Sequence, residues 1–136
     1  MQYRVLLIDD DQISGFISKK YVVRSGYAYE VLIAESGPRA LQIIKNQISD
    51  KQPIDVILLD LNMPMISGCE FLIELAALDD FDIKRVFIII LSNSMDEDEI
   101  SAALACGANH FIPKPLDENS IFQSFEQYQI WKVNLF

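Results

Sequence analysis

The sequence predicts an α/β fold in which five parallel strands form one doubly wound sheet flanked by five helices. Three observations predict it. Short apolar runs alternate with longer segments of helical period along the 136 residues. The runs at 56–59 and 86–91 are continuously apolar, as central strands covered on both faces require. Capping or proline signals mark the helix starts, and alternating strands and helices imply right-handed crossovers.

The first strand is expected at 4–8, and Asp11 stands where it can cap a helix beginning near Gln12. The second strand is expected at 30–34, after which Gly37-Pro38 supplies a proline for the first turn of the second helix. The third strand, 56–59, leads to Ser67-Gly68-Cys69-Glu70, which has the spacing of a capping box. The fourth strand, 86–91, leads to Ser94-Met95-Asp96-Glu97 with the same spacing, and Cys106-Gly107 gives that helix its left-handed exit. The fifth strand is expected at 110–112, with Asp117 capping the last helix after Pro115. The outer runs are shorter and more polar, which fits sheet edges. No repeat, low-complexity tract or linker interrupts the chain. Residues 1–136 read as a single domain, with a core over about 4–131 and a short carboxyl-terminal tail.

A chain of this length buries most of its apolar surface without staples. The net charge of −9 and pI near 4.4 argue against nucleic acid as a partner, because phosphate-binding surfaces draw affinity from Lys and Arg. No uncharged apolar run reaches about 18 residues, so no membrane span is expected. The first residues lack the apolar core of a signal peptide, and the expected location is cytoplasmic. Cys69 and Cys106 are distant in sequence without metal-ligand spacing, and are expected to be reduced, partly buried thiols.

The chemistry collects at strand ends. Asp9, Asp10 and Asp11 follow the first strand, Asp60 follows the third, and Lys114-Pro115 follows the last. Carboxyl ends of adjacent parallel strands share one crevice. Two carboxylates ~5 Å apart repel by roughly 3 kcal/mol at an effective dielectric near 20, so such a cluster invites a divalent cation. Oxygen-only ligands point to magnesium or manganese rather than zinc, with Asp9 and Asp10 the metal-binding candidates and Asp11 the helix cap. Asp60 reads as a metal ligand or, more sharply, as a nucleophile toward phosphorus, with the Lys114 ammonium neutralising phosphoryl oxygens. Ser92 ends the fourth strand, where its hydroxyl can donate to a phosphoryl oxygen, while Ser94 reads as a plain cap. The Lys114–Pro115 bond is a candidate cis peptide.

The ordered set Ile8-Asp9-Asp10-Asp11, Asp60-Leu61-Asn62-Met63-Pro64 with Ser67-Gly68, Ser92 and Lys114-Pro115 resembles the receiver domain of bacterial two-component response regulators, in the single-domain, chemotaxis-regulator-like form. The resemblance covers residues 4 to about 131. It implies a flavodoxin-like sheet of order 2-1-3-4-5. It also implies a phosphoryl group passing from a phosphohistidine on a sensor kinase or phosphotransfer protein to Asp60. Asp10, Asp60 and the Asn62 carbonyl would hold Mg²⁺, Asp9 would act mainly through water, and Ser92 and Lys114 would hold the phosphoryl oxygens. Ser92 and Phe111 would be the switch pair, repacking the face of the fourth helix, fifth strand and fifth helix. Ser92 stands where threonine is commoner, Asn93 where a small residue is usual, and Phe111 lacks the hydroxyl of a tyrosine.

The expected role is therefore a self-phosphorylating signalling protein and not an enzyme with substrate turnover. A magnesium phosphatase with an aspartyl nucleophile is the rival reading. It is disfavoured because Asn62 stands where those enzymes place a second carboxylate. A third reading, a docking module that takes no phosphoryl group, is disfavoured because every residue needed for phosphorylation is present. With no DNA-binding or catalytic segment after the receiver, output is expected through a downstream protein target, with a homodimer through the switch face as an alternative. Ile121, Phe122, Phe125 and Tyr128 form a helical apolar stripe, most of it core. Its surplus, with Trp131, Leu135 and Phe136, either covers the sheet or forms a partner surface.

Overall fold

The computed structural model describes residues 2–63, 67–93 and 96–135. Pro64, Ser94 and Phe136, named above on sequence grounds, lie outside them. The strands are β1 (Tyr3–Ile8), β2 (Ala28–Ala34), β3 (Val56–Asp60), β4 (Phe87–Ser92) and β5 (His110–Pro113). They alternate with α1 (Gln12–Ser25), α2 (Gly37–Ser49), α3 (Gly68–Ala76), α4 (Glu97–Ala105) and α5 (Glu118–Leu135). All pairings are parallel and the order is β2-β1-β3-β4-β5, so the expected fold and edge strands are the observed ones.

Alternation along the strands divides two cores. Leu6, Ile8, Ile57, Leu59, Ile88 and Ile90 face one side and pack with Ile44 of α2, Phe71, Leu72 and Leu75 of α3, and Ala103 of α4. Val5, Leu7, Val56, Leu58, Ile89 and Leu91 face the other and pack with Val22 of α1 and Ile121, Phe125 and Tyr128 of α5. Because both faces are covered, β3 and β4 carry apolar residues at successive positions without solvent-facing interruptions. The α5 stripe divides as its periodicity suggests: Ile121, Phe125 and Tyr128 are buried, whereas Phe122 is 50% exposed. Trp131 covers the sheet, its ring 5.3 Å from that of Phe87.

The caps follow the sequence with one exception. Asp11 accepts from the amides of Ile13 and Ser14, Ser36 from Arg39, and Ser67 from Glu70. Asp117 Oδ1 accepts from the Ser120 amide while Ser120 Oγ accepts from the Asp117 amide, a reciprocal box at the start of α5. The exception is α4, whose N-cap is Asp96, accepting from Asp98, rather than Ser94. A carboxylate two residues nearer the helix suits that terminus, where it meets the positive end of the dipole. A short 3-10 turn, Ile83–Arg85, capped by Asp82, precedes β4 and is not anticipated by the sequence pattern.

Gly107 has φ +124°, and a β-carbon there would meet Ile83 Cδ1 at 3.3 Å. Gly107→Ala should therefore lower stability by about 1–3 kcal/mol. A urea-denaturation midpoint equal to that of the parent would show that the exit from α4 does not need glycine.

The thiols depart from expectation. Cys69, in the first turn of α3, and Cys106, the C-cap of α4, form a disulfide with Cα atoms 5.6 Å apart. Thirty-seven residues of sequence separate them, but both helices cover the same sheet face, so their ends come together. Distance along the chain was the wrong measure.

Candidate functional site

The register fixes the site. Ile8 of β1 pairs with Leu59 of β3, so the next residues, Asp9 and Asp60, leave the sheet side by side. Asp60 pairs with Leu91 of β4, and Ser92 with Pro113 of β5, which sets Lys114 beyond the end of the edge strand. From there the lysine reaches back across the end of β4. Its Nζ stands 3.0 Å from Asp9 Oδ2 and 3.1 Å from Asp60 Oδ2, with its side chain only 10% exposed. The Lys114–Pro115 peptide is cis.

Both buried carboxylates are tied on their second oxygens too. Asp9 Oδ1 accepts from the Asp11 amide at 3.0 Å, and Asp60 Oδ1 from the Asn62 amide at 2.9 Å. These are residue i+2 amides in tight turns after each strand, an arrangement short acidic side chains favour. Asn62 Oδ1 in turn accepts from the Asn93 amide at 3.1 Å, linking the loops after β3 and β4.

Burial pushes both carboxyl groups up, with different outcomes. At Asp9 it is outweighed by the Asp11 amide, the Ser14 hydroxyl and Lys114, and the group lies below the ordinary carboxylate value. At Asp60 burial wins over the Asn62 amide and Lys114, and the nearby Asp9 charge adds to it, so the group lies above that value. Burial alone would lower Lys114, but its bond to Asp9 and the Asp60 charge hold it above the usual lysine value. Lys114 therefore stays an ammonium.

Carboxylate oxygens of Asp9, Asp10 and Asp60 all lie within 4.8 Å of one another. Asp10 is exposed, whereas the other two are buried. Three carboxylates against one ammonium leave an excess of two negative charges. The group is all oxygen, so the residues fit a hard divalent cation. Asp60, Asp10, Asn62, Asn93 and Lys114 share the wall of an open cleft of about 560 Å³.

Ser92 and Phe111 lie apart from that wall. Ser92 is buried as the last residue of β4, and Asn93, the next residue, lines the cleft. Phe111 is half-buried on β5 and packs against the core cluster beneath α2, α3 and α4. Two features of the site are not anticipated by the sequence pattern. Ser14 Oγ lies 3.0 Å from Lys114 Nζ, yet its spacing is that of any first-turn serine. Ile13, Phe16 and Ile17 of α1 are 73%, 66% and 45% exposed, and Ile13 and Ile17 line the cleft. Their i, i+3, i+4 spacing opposite buried Val22 was the legible signal, since α1 has apolar residues on two faces and the sheet covers one.

Among the described residues no helix is long and apolar enough to cross a membrane. The family model for the response regulator receiver domain matches residues 5–126. The uncharacterized transcriptional regulatory protein YrkP of Bacillus subtilis is 31% identical over 89% of this chain and 47% of its own length, so this chain spans about half of that relative. Response regulator Rcp1 of Synechocystis is 26% identical over 96% of this chain and 91% of its own length. Among solved structures, a two component response regulator from Cytophaga hutchinsonii superimposes with a TM-score of 0.84 at 26% identity, covering 96% of this chain and 99% of that one. A family model spanning most of the chain, on a sheet of this order with this acidic cleft, shows that the protein belongs to the response regulator receiver domain family.

Proposed function

We infer that this receiver takes a phosphoryl group from a phosphohistidine onto Asp60 in a Mg²⁺-dependent reaction that its own residues catalyse. The observation that carries the reading is Lys114 held between Asp9 and Asp60 at 3.0 and 3.1 Å. A carboxylate oxygen of Asp60 attacks phosphorus, the P–N bond to the donor imidazole breaks, and the imidazole leaves with a proton from solvent. Lys114 neutralises the phosphoryl oxygens as charge collects on them. Asp10, Asp60 and the Asn62 carbonyl would hold Mg²⁺, which would supply further positive charge at those oxygens. Asp9 already accepts bonds on both oxygens, so it would meet such an ion through water. Asn62 cannot act as the general acid that repeated substrate turnover needs, which keeps the reaction stoichiometric. Ser92 reaches the phosphoryl group by a shift of the β4 end, and Phe111 repacks with it, so that the face of α4, β5 and α5 takes two forms.

The donor is a sensor histidine kinase or histidine phosphotransfer protein in the cytoplasm. The exposed Ile13, Phe16 and Ile17 beside the cleft give its helices an apolar seat. Output passes to a downstream protein target or through a homodimer on the switching face. Residues 1–136 act in this as one receiver domain.

Acetyl phosphate with Mg²⁺ should add one phosphoryl group by intact mass, and chelation of the metal should prevent it. No mass gain under either condition rejects the reading. Mg²⁺ alone should also raise the melting temperature by relieving carboxylate repulsion. Asp10→Asn should weaken that response, and a variant as responsive as its parent would remove Asp10 from the metal site.

A further inference from the structure

Cys69 and Cys106 are the only cysteines of the chain, and they meet across the α3–α4 boundary. The core beneath those helices is already closed: Phe71, Leu72 and Leu75 of α3 are fully buried, and Ala103 of α4 is 2% exposed. A domain of this size does not need a staple to fold. What the bond adds is local: it ties the end of α4 to the first turn of α3. That turn follows the loop that leaves β3 after Asp60, and Gly68 lies so close to the Leu61 side chain that a β-carbon there would collide with it. Both cysteines are half-buried, and Cys69 lines a small open pocket of about 130 Å³ with Leu61, Ser67, Glu99 and Ala102.

We propose that Cys69 and Cys106 form a reversible thiol–disulfide site through which low-molecular-weight disulfides such as oxidised glutathione control the mobility of α4. In the reduced protein the Cys69 thiolate attacks a sulfur of the small disulfide. A Cys69–glutathione bond forms and one glutathione thiolate leaves. The Cys106 thiolate then attacks Cys69 Sγ, closing the intramolecular bond and releasing the second glutathione. Each step exchanges one S–S bond for another, and the two electrons lost by the cysteines reside in two glutathione thiols. Two excess thiols reverse both steps. Closed, the bond holds α4 to the Asp60-bearing side of the fold; open, it frees α4 to move. The consequence for signalling, a smaller movement of the switching face in the oxidised protein, rests on the phosphoacceptor reading above.

The test uses the full chain equilibrated in glutathione buffers of graded ratio, with free thiols trapped by N-ethylmaleimide before intact-mass analysis. The expected result is a single transition from two labels to none in the parent, while Cys106→Ser keeps a one-to-one glutathione adduct at Cys69. Two labels at every ratio, or two stable adducts, would overturn the site. Hydrogen exchange without any phosphoryl mimic should be roughly ten-fold slower across residues 97–105 in the oxidised form, and equal exchange overturns the control of α4. Oxidation should also raise the melting temperature by about 10 °C, from closure of the intervening loop. Beryllofluoride with Mg²⁺ then separates the two readings. A response around Asp60 in both redox states but equal at α4 refutes the coupling. Absence of any response around Asp60 in either state refutes the phosphoacceptor reading and leaves the exchange comparison to decide the thiol site.

Discussion

Asp60→Asn is expected to accept no phosphoryl group from acetyl phosphate and, in the absence of metal, to be more stable than its parent. The two effects share one cause. Burial holds the Asp60 carboxyl above its ordinary value, so the folded state binds this proton more readily than the unfolded chain. Stability from this group therefore falls as pH rises from the ordinary carboxylate value through the raised one, and at neutral pH the ionised carboxylate weakens the fold. An amide of the same shape has no charge to desolvate, and Lys114 keeps its partner in Asp9. The melting temperature should rise by roughly 2–4 °C for each kcal/mol recovered, and the advantage should shrink on acidification as the parent is protonated. Equal phosphoryl labelling of parent and variant, or a variant less stable than the parent at neutral pH, contradicts the assignment of Asp60.

Lys114→Met should have the larger effect on stability and the opposite sign. It leaves the buried carboxylates of Asp9 and Asp60 facing each other without their shared cation, a loss of about 3–5 kcal/mol at neutral pH. Phosphoryl uptake should fall by about 100-fold or more, as when one preorganised donor to a developing negative charge is removed. Mg²⁺ should restore part of the stability, since it supplies positive charge to the same oxygens. The pH dependence follows from the directions of the shifts. Lys114 lies above the usual lysine value, so its contribution is complete at neutral pH and is lost only as pH rises through that raised value. Asp9 lies below the ordinary carboxylate value, so its contribution is present at neutral pH and is lost as pH falls through the depressed one. The gap between parent and variant should thus be widest near neutrality and close toward acid. A gap that stays constant from neutral pH to about pH 3 would falsify the account of Lys114 as the counter-charge of this pair.

The Asp9, Asp60 and Lys114 cluster was legible because parallel strands share a direction. Once 4–8, 56–59 and 110–112 read as strands of one sheet, the residues after them had to emerge at one edge. Two carboxylates and an ammonium gathered there already have the makings of a phosphoryl site. Caps were legible where a short polar side chain stood at a helix start. At α4 the capping-box spacing pointed to Ser94, whereas the cap is Asp96, two residues nearer the helix.

Ser14 and the thiol pair were not legible for a different reason. Ser14 matters only because Lys114 arrives from a hundred residues away along the chain, at a height above the sheet that no local pattern encodes. Cys69 and Cys106 matter only because α3 and α4 are neighbours on one sheet face. Similarly, the exposure of Ile13, Phe16 and Ile17 follows from which side of α1 meets the sheet, since a helix with two apolar faces offers both until packing chooses one.

By itself the sequence determined the strand and helix alternation, both continuous central strands and the charges gathered at one sheet edge, since periodicity and strand direction are local properties. The tertiary structure alone decided which carboxylate is held below its ordinary value and which above it, that the cysteines meet, and which apolar face of α1 stays in solvent. Those outcomes depend on distances between elements, and distances between elements are set by packing across the whole sheet.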